Sequence, residues 1–531
     1  MTRRAASARL GRVRADGLTR RSLLRRGGAA AAGGGVLAGL GASSAAADRF
    51  GGEVGQSAML VVLPLVRSDY VKAFDNGSGT STPNIDDLTG KSLRFDRVVP
   101  ESMPALPVRR TLVTGMRQFP FRNWRRTQGM PDVPGYNPVW DWQPVLTETM
   151  RTRDVHTAYV TDNPIFAGSR FPDVVRPGGT PPASPGGSRL KPEVDAIKRQ
   201  SAAAERTFRA GIAELRKLKG DDPWFLAIDP FDPVDAAEAP PIYVKPGEVD
   251  KEGIGPMNGR LVELKFGKND IDELRDAYRK HVDLVDEWVG RLMDEVPDDV
   301  FLVMLGDTGI ALGEHDYAGR GTPTSHRFSY EVPFLIRHHR GEKAGDDIDW
   351  YASTHDAAPT LLSAMGLTTP GKMRGEDLTQ LFDGVDEGDL PDRPFSISCS
   401  GSLIMVRDTR WLMIADREQM ERRLYDDDEE ADDDNIKKRY DDVASDAPGQ
   451  LTDMSAAALT VAGGTLPEFG QEGALRPPRE RGDDDIDDDG IPNEWDAVDN
   501  EHPDDDDGPE AIQWDGRDPE DRTGPRYRSV R

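Results

Sequence analysis

Five short apolar runs, separated by helical patterns, constrain the fold of this chain more than any other feature. The runs are five to nine residues long and lie at 58–66, 155–160, 224–228, 300–305 and 332–336. Strands that are buried on both faces of a parallel sheet are continuously apolar in this way. Helical patterns lie between them at 143–151, 196–219 and 270–295. This alternation predicts an α/β fold with a mostly parallel central sheet covered on both faces.

The architecture also predicts where a functional site should lie. In open sheets of this kind, ligands bind at the carboxyl ends of the strands. The turn 64–69 follows the first run and Asp307 follows the fourth, so we expect both at that edge. Further along the chain, the short segments 402–406 and 411–414 are typical of a small antiparallel sheet.

Charge and cysteine content exclude some classes of protein. The 531 residues carry a formal net charge of -27, and residues 1–47 contribute nine Arg and one Asp, so the remainder carries -35. Such acidity argues against a nucleic-acid partner, which needs clusters of Lys and Arg. Cys399 is the single cysteine, so no intramolecular disulfide can form.

The N-terminus has the three-part order of an export signal. Residues 19–25 read TRRSLLR and resemble the twin-arginine motif, a weakly apolar stretch follows at 27–42, and Ala45-Ala46-Ala47 precedes Asp48. We expect residues 1–47 to be a twin-arginine signal peptide and the protein to be extracytoplasmic, either secreted or at the cell surface. The apolar stretch is rich in Gly, and no other segment reaches about 18 consecutive apolar residues, so no permanent membrane span is expected.

A separate metal signal lies in the acidic tail, 471–531, which holds 21 acids and 8 Arg and has no apolar period. An EF-hand-type calcium loop has ligands at positions 1, 3, 5, 7, 9 and 12 and a Gly at position 6. If Asp485 is position 1, Gly490 stands at position 6. The ligand positions then hold Asp485, Asp487, Asp489, the Ile491 carbonyl, Asn493 and Asp496. The segment resembles the calcium repeats of thrombospondin type 3. The alternative is a solvated acidic tail in which Asp runs produce this spacing by chance.

Residues 105–115, ALPVRRTLVTG, carry the most specific motif of the chain. Five positions match the sulfatase signature, which reads Cys/Ser-x-Pro-x-Arg and then a short apolar stretch and Thr-Gly: Pro107, Arg109, Leu112, Thr114 and Gly115. Five further segments resemble sulfatase motifs in family order: 82–88, 278–292, 306–315, 355–362 and 424–426.

The resemblance implies the fold of the alkaline phosphatase superfamily, a three-layer sandwich around a mostly parallel sheet. We assign this α/β domain to 55–392, a small C-terminal antiparallel subdomain to 393–470 and the acidic tail to 471–531.

The residues that carry the family's chemistry are replaced within this matching frame. Ala105 stands where sulfatases have the Cys or Ser that becomes formylglycine, and a methyl group cannot attack sulfur or phosphorus. Val234 follows Phe231-Asp232-Pro233 where the family has a His. Arg320 replaces a Lys that contacts sulfate, so Arg109 and Arg320 are candidate anion contacts. Arg109 could equally form a buried salt bridge.

The family also binds a divalent cation, usually calcium, through oxygen ligands. Asp307 and Thr308 stand at the second ligand segment, where the family has Asp followed by Asn or His. In the first segment Pro64 and Leu65 replace the carboxylates, although Asp69 keeps its register. We expect at most a weak residual site at Asp307 and Thr308.

These replacements predict an exported sulfatase-like pseudoenzyme with a binding or structural role, whose ligand is an anionic small molecule or a glycan. One alternative is an active metal-dependent hydrolase of sulfate or phosphate esters, in which Thr111, Ser102 or a metal-bound water attacks. Another is a calcium-dependent surface scaffold in which the tail is the working part.

We predict that the tail binds calcium with a dissociation constant of about 10⁻⁴–10⁻³ M, the range of extracellular modules. Titration calorimetry on a 471–531 fragment should show saturable binding that is lost in Asp485→Ala/Asp489→Ala. Binding heat that persists unchanged in this variant would instead indicate diffuse screening of the acidic charge.

Overall fold

The fold is that of a computed structural model. It describes residues 55–74, 80–178 (except 104, 125–133, 164 and 167), 191–232 (except 221–222), 242–244, 260–262, 268–313, 318–320, 328, 330–400 (except 392), 403–416, 422–426 and 448–463. The signal-like segment 1–47 and the tail 471–531 lie outside the described residues.

A central sheet of eight described strands organises the molecule. The strands are β1 Ala58–Leu63, β2 Leu93–Val98, β3 His156–Val160, β4 Val174–Val175, β5 Trp224–Ile228, β6 Phe301–Gly306, β7 Phe334–Arg337 and β8 Asp347–Ala352. Their order across the sheet is β8-β2-β7-β6-β1-β5-β3-β4. Only β7 runs antiparallel to its neighbours β2 and β6, so seven of the eight strands share one direction.

Helices cover both faces of this sheet. They are α1 Pro83–Thr89, α2 Ala105–Thr114, α3 Leu146–Arg151, α4 Lys191–Leu218, α5 Lys268–Met293, α6 Ala357–Ala364 and α7 Pro448–Val461. Apolar side chains of α2, α3 and α6 pack on one face of the sheet. Those of α1, α4 and α5 pack on the other face.

The side chains of β1 alternate between the two cores. Leu60 and Val62 point to the core that contains α2, whereas Met59 and Val61 point to the core that contains α4 and α5. All six residues of this strand are fully buried. Burial on both faces explains the continuously apolar sequence of β1 and confirms the predicted three-layer α/β architecture.

The predicted elements mostly lie where the sequence places them. The first apolar run ends as a strand at Leu63, because Pro64 begins the turn and Leu65 adopts a positive φ of 56°. The fifth run forms β7, which is antiparallel although a parallel strand is expected from the pattern. Both β2 and β8 lack a continuous apolar run, and their polar residues alternate with buried ones.

A second, antiparallel sheet follows the central domain and confirms the predicted small C-terminal sheet. Its strands are β9 Ser396–Ser400, β10 Leu403–Arg407, β11 Trp411–Asp416 and β12 Arg422–Asp426, paired in chain order. Side chains of α7 pack against this sheet, and Phe119, Phe121 and Trp124 from the central domain join the same core. Among the described helices, none is both long and apolar enough to cross a membrane.

Candidate functional site

Polar residues meet at the carboxyl ends of β1, β5 and β6, as expected for a parallel sheet. Asp229 directly follows β5 and Asp307 directly follows β6. Gly306, the last residue of β6, lets the turn after β1 approach, since a Cβ there would lie 2.9 Å from the Val66 carbonyl oxygen and 2.7 Å from the Cβ of Val332.

Helix α2 brings the signature residues to this edge. The helix begins at Ala105, and Pro107 in its first turn costs little because the amide hydrogens of that turn have no partner within the helix. Arg109 follows Ala105 by about one turn and is fully buried. The formylglycine position therefore lies one turn of α2 away from this buried guanidinium.

The Arg109 guanidinium lies between two carboxylates. Its Nε donates to Asp229 Oδ1 at 2.9 Å, and its Nη1 donates to Asp307 Oδ2 at 2.6 Å. The remaining Nη2 donates to the Pro230 carbonyl oxygen at 3.0 Å. The ring of Phe231 has its centroid 5.3 Å from the guanidinium carbon. Of the two interpretations left open by the sequence, the buried salt bridge is the one observed.

The other oxygens of both carboxylates also accept hydrogen bonds from the protein. Asp307 Oδ1 accepts from the backbone N–H of Leu65 and from that of Thr308, each at 2.7 Å. Asp229 Oδ2 accepts from the Tyr159 hydroxyl at 3.2 Å. All four carboxylate oxygens are thus engaged by groups of the chain itself.

Burial and the opposite charges of neighbouring groups together shift the pKa values of the site residues. Burial disfavours the charge of Arg109, but Asp229 and Asp307 together raise the pKa of Arg109 above its ordinary value. Burial raises the pKa of Asp229, and Arg109 offsets part of that rise. Burial, followed by the charge of Asp229, raises the pKa of Tyr159 well above its usual range, so this hydroxyl stays protonated and donates.

The turn after β1 is held by helix α5. The Pro64 carbonyl oxygen lies 2.7 Å from His281 Nε2, and the Leu65 carbonyl oxygen accepts from the Tyr278 hydroxyl at 2.7 Å. Since a carbonyl can only accept, His281 Nε2 must carry a proton. The expected ligand-segment residue Asp69 pairs instead with Arg67 at 2.5 Å.

This donor set does not fit a divalent cation. Such a cation needs about six oxygen ligands, most of them with free lone pairs directed to one point. At this edge the two carboxylates converge on the Arg109 guanidinium, and Pro64 and Leu65 supply no carboxylate. Within the part of the chain that the structure describes, no cluster of three or more His, Cys, Asp or Glu could hold a metal ion. The Thr308 hydroxyl is buried and has no hydrogen-bond partner among the described residues.

The remaining predicted residues are only partly brought together. Thr111 and Ser102 are fully buried, and the Thr111 hydroxyl donates to the Val108 carbonyl oxygen at 2.7 Å. Arg320 contributes its backbone to a short strand that pairs with Ile310–Leu312. Two groups of predicted residues lie outside the described part of the chain. They are Val234 and the six residues of the calcium-like loop in the tail, Asp485, Asp487, Asp489, Ile491, Asn493 and Asp496.

Sequence reasoning missed three residues of the site: Asp229, Tyr159 and His281. Asp229 is the first polar residue after the run 224–228, and this position at the end of a buried strand is the available signal. Tyr159 lies inside a predicted strand and His281 inside a predicted helix, where nothing in the local pattern separates a site residue from a core residue.

Comparisons with known proteins agree with this fold. The family model described as Sulfatase matches residues 58–367. An N-acetylglucosamine-6-O-sulfatase of Bacteroides thetaiotaomicron is 32% identical over 147 residues, which cover 26% of this chain and 24% of that protein. The match therefore spans only about a quarter of that relative's length.

Solved structures extend the likeness over most of the chain. A phosphonate monoester hydrolase of Agrobacterium radiobacter has a TM-score of 0.52 and 18% identity, covering 80% of this chain and 100% of that one. A protein in complex with its substrate D-glucosamine-2-N,6-O-disulfate has a TM-score of 0.50 and 14% identity, covering 75% and 98%. At these identities the likeness supports the fold.

We predict that Arg109→Met lowers the free energy of unfolding by about 3–5 kcal/mol, because it leaves two buried carboxylates without their cation. Urea denaturation followed by circular dichroism measures the change. Arg291→Met is the matched control, since it removes an exposed partner of Glu287 on α5 and should change stability little.

A further variant separates charge from packing at this site. Adding Asp229→Asn and Asp307→Asn to Arg109→Met removes the uncompensated charges and should restore part of the lost stability. The charge argument would be wrong if Arg109→Met cost no more than Arg291→Met.

Proposed function

The chain belongs to the sulfatase family, and we propose that it binds an anionic glycan outside the cell without hydrolysing sulfate or phosphate esters. The observation that carries this proposal is the engagement of all oxygens of Asp229 and Asp307 by Arg109 and by other donors of the chain. Five hydrogen bonds already occupy lone pairs of this carboxylate pair, and the two groups are directed at a guanidinium rather than at a common cation.

Hydrolysis of sulfate or phosphate esters by this fold needs a nucleophile, a Lewis acid and a general acid, and this site lacks all three. A nucleophile must attack the sulfur or phosphorus atom, and the methyl of Ala105 cannot do so. A Lewis acid must activate that nucleophile and stabilise the developing charge, and the donor set does not fit one. An acid must protonate the leaving oxygen, and Val234 has no titratable group.

Substitute nucleophiles are poorly placed. Thr111 and Ser102 are fully buried, and the Thr111 hydroxyl is also 2.7 Å from the Thr354 hydroxyl. An attacking oxygen must reach an ester of a bulky substrate, which neither side chain can do from the core. The geometry therefore favours the binding function over an unconventional hydrolase.

A binding role agrees with the character of the relatives. One solved relative is described in complex with D-glucosamine-2-N,6-O-disulfate, a sulfated sugar. Recognition of such a ligand requires only positive charge and shape, whereas turnover requires the catalytic groups as a unit. We propose that recognition has been kept while hydrolysis has been lost, and that the twin-arginine signal at 1–47 delivers the protein to the outside.

We predict no hydrolysis of aryl sulfate or aryl phosphate esters by the purified wild type, with calcium, magnesium, manganese or zinc supplied. Release of nitrophenol is the readout, with an Asp307→Ala variant as the background control. Ala105→Cys, co-expressed with a formylglycine-generating enzyme, should stay at the same background, because restoring one member of a catalytic unit recovers little.

Metal-dependent turnover in the wild type that clearly exceeds the Asp307→Ala background would contradict the proposal. Turnover that appears in Ala105→Cys alone would contradict the claim that the metal and acid functions are also lost.

A further inference from the structure

A serine on helix α4 lies against a histidine on helix α5. The Ser201 hydroxyl oxygen is 2.9 Å from His281 Nδ1. Ser201 is half-buried, whereas the imidazole of His281 is fully buried. A hydroxyl within hydrogen-bond reach of an imidazole is the arrangement found in activated serine nucleophiles, and here the hydroxyl is the more exposed of the two groups.

The hydrogen bonds of His281 determine which of its nitrogens can take up a proton. Its Nε2 donates to the Pro64 carbonyl oxygen at 2.7 Å, because that oxygen can only accept. Burial lowers the pKa of His281 below its ordinary value, although the Pro64 carbonyl and the charge of Asp307 oppose this shift. A neutral imidazole that is protonated at Nε2 has its lone pair at Nδ1, so the Ser201 hydroxyl donates to Nδ1.

The three groups stand in the order of a nucleophile, a base and a group that orients the base. Ser201 is the first, His281 the second and the Pro64 carbonyl the third. The carbonyl fixes the tautomer and the orientation of the ring, as a carboxylate does in the Ser-His-Asp triad. The turn that carries it is itself held in place, since the Leu65 carbonyl oxygen accepts from the Tyr278 hydroxyl at 2.7 Å.

A lysine lies about one turn before the serine. Lys198 is exposed and precedes Ser201 by three residues, which places both side chains on one face of α4. On α5, Lys280 pairs with Asp276, whereas Lys198 has no such partner among the described residues. Attack on an ester carbonyl develops negative charge on the carbonyl oxygen, and an ammonium group within reach stabilises that charge.

We propose that Ser201 is an acyl-accepting serine that reacts with small carboxylic esters, with His281 as its general base and Lys198 as a cation beside the developing oxyanion. Ser201 Oγ attacks the ester carbonyl carbon, and its proton passes to His281 Nδ1. The imidazolium returns this proton to the leaving oxygen as the original C–O bond breaks, which leaves an acyl-serine. Water then attacks the acyl-serine by the same proton transfers and releases the carboxylic acid.

This activity goes beyond the proposed glycan binding and uses other residues. It acts at an acyl carbon and needs neither a group at Ala105 nor one at Val234. The Ser201–His281 pair lies between α4 and α5, on the face of the sheet opposite to α2.

The contact between Ser201 and His281 has a simpler explanation. The Ser201 hydroxyl is also 2.9 Å from the Ile197 carbonyl oxygen, the usual partner of a serine inside a helix. A buried imidazole needs a partner for its lone pair, and a hydroxyl satisfies it without being reactive. The two roles differ in one property: a structural serine is acylated no faster than other hydroxyls of the chain.

The test incubates the full-length protein with p-nitrophenyl acetate and locates acetylated peptides by mass spectrometry. An acetyl group is expected on Ser201, and hydroxylamine should remove it, which distinguishes an ester from an amide on Lys198. Thr149 is the internal control, because its half-buried hydroxyl bonds the Val145 carbonyl oxygen at 2.9 Å and should stay unmodified.

Variants of the pair measure the contribution of each group. Ser201→Ala should abolish this acetyl ester. His281→Gln keeps an N–H donor for the Pro64 carbonyl but has no base, and it should slow acetylation of Ser201 about a hundredfold. Lys198→Met should slow it about tenfold, since an exposed, flexible ammonium contributes less than a fixed donor.

A second reactivity measurement keeps the test decisive if His281→Gln does not fold. Cys399, the single cysteine, is buried, and burial raises the pKa of its thiol well above its usual range, so the wild type should react slowly with iodoacetamide. At neutral pH, Ser201→Cys should be alkylated roughly tenfold faster than Ala202→Cys, because His281 takes the proton of the new thiol. Ala202 is the matched control, since it is also half-buried and lies next to Ser201 on α4.

Absence of an acetyl ester on Ser201, or an acetylation rate that His281→Gln leaves unchanged, would overturn the proposal. Equal alkylation of Ser201→Cys and Ala202→Cys would overturn the role of His281 as a base, and an unchanged rate in Lys198→Met would overturn the role of that lysine. Neither glycan binding nor hydrolysis of sulfate and phosphate esters enters these measurements, so failure here leaves the proposed function unaffected.

Discussion

One fully buried guanidinium determines how the carboxyl edge of the sheet is built. Arg109 satisfies Asp229 and Asp307 at 2.9 and 2.6 Å, and none of the three charges could be buried alone without a cost of several kcal/mol. The arrangement joins α2 to the ends of β5 and β6, and Asp307 also accepts the N–H of Leu65 from the turn after β1. Four segments of the chain are therefore held by one network, and its members stabilise each other.

The same network is the basis of the proposal that the chain does not hydrolyse sulfate or phosphate esters. The Arg109 guanidinium donates to one oxygen of Asp229 and to one oxygen of Asp307. The turn after β1 is held by Tyr278 and His281, and Pro64 and Leu65 contribute no carboxylate to it. Restoring the nucleophile at Ala105 leaves these other changes in place.

The sequence predicts the part of the fold that depends on local patterns. The continuous runs that form β1, β5 and β6 are recognisable because these strands are buried on both faces, and α4 and α5 carry long amphipathic repeats. Strands β2 and β8 alternate polar and apolar residues over few positions, so their pairing depends on distant partners. The site is predicted where the end of a strand and a family motif coincide, as at Asp307. Asp229 has no motif, and it meets Arg109 across 120 residues of chain, so this contact exists only after folding.

Anomalous diffraction from crystals grown in excess manganese tests the central claim most directly, because it locates any divalent cation at this edge independently of activity. We predict the Arg109 guanidinium between Asp229 and Asp307, with no anomalous peak at that position. A manganese peak within about 2.6 Å of oxygens from both carboxylates, with Arg109 displaced, would contradict the account.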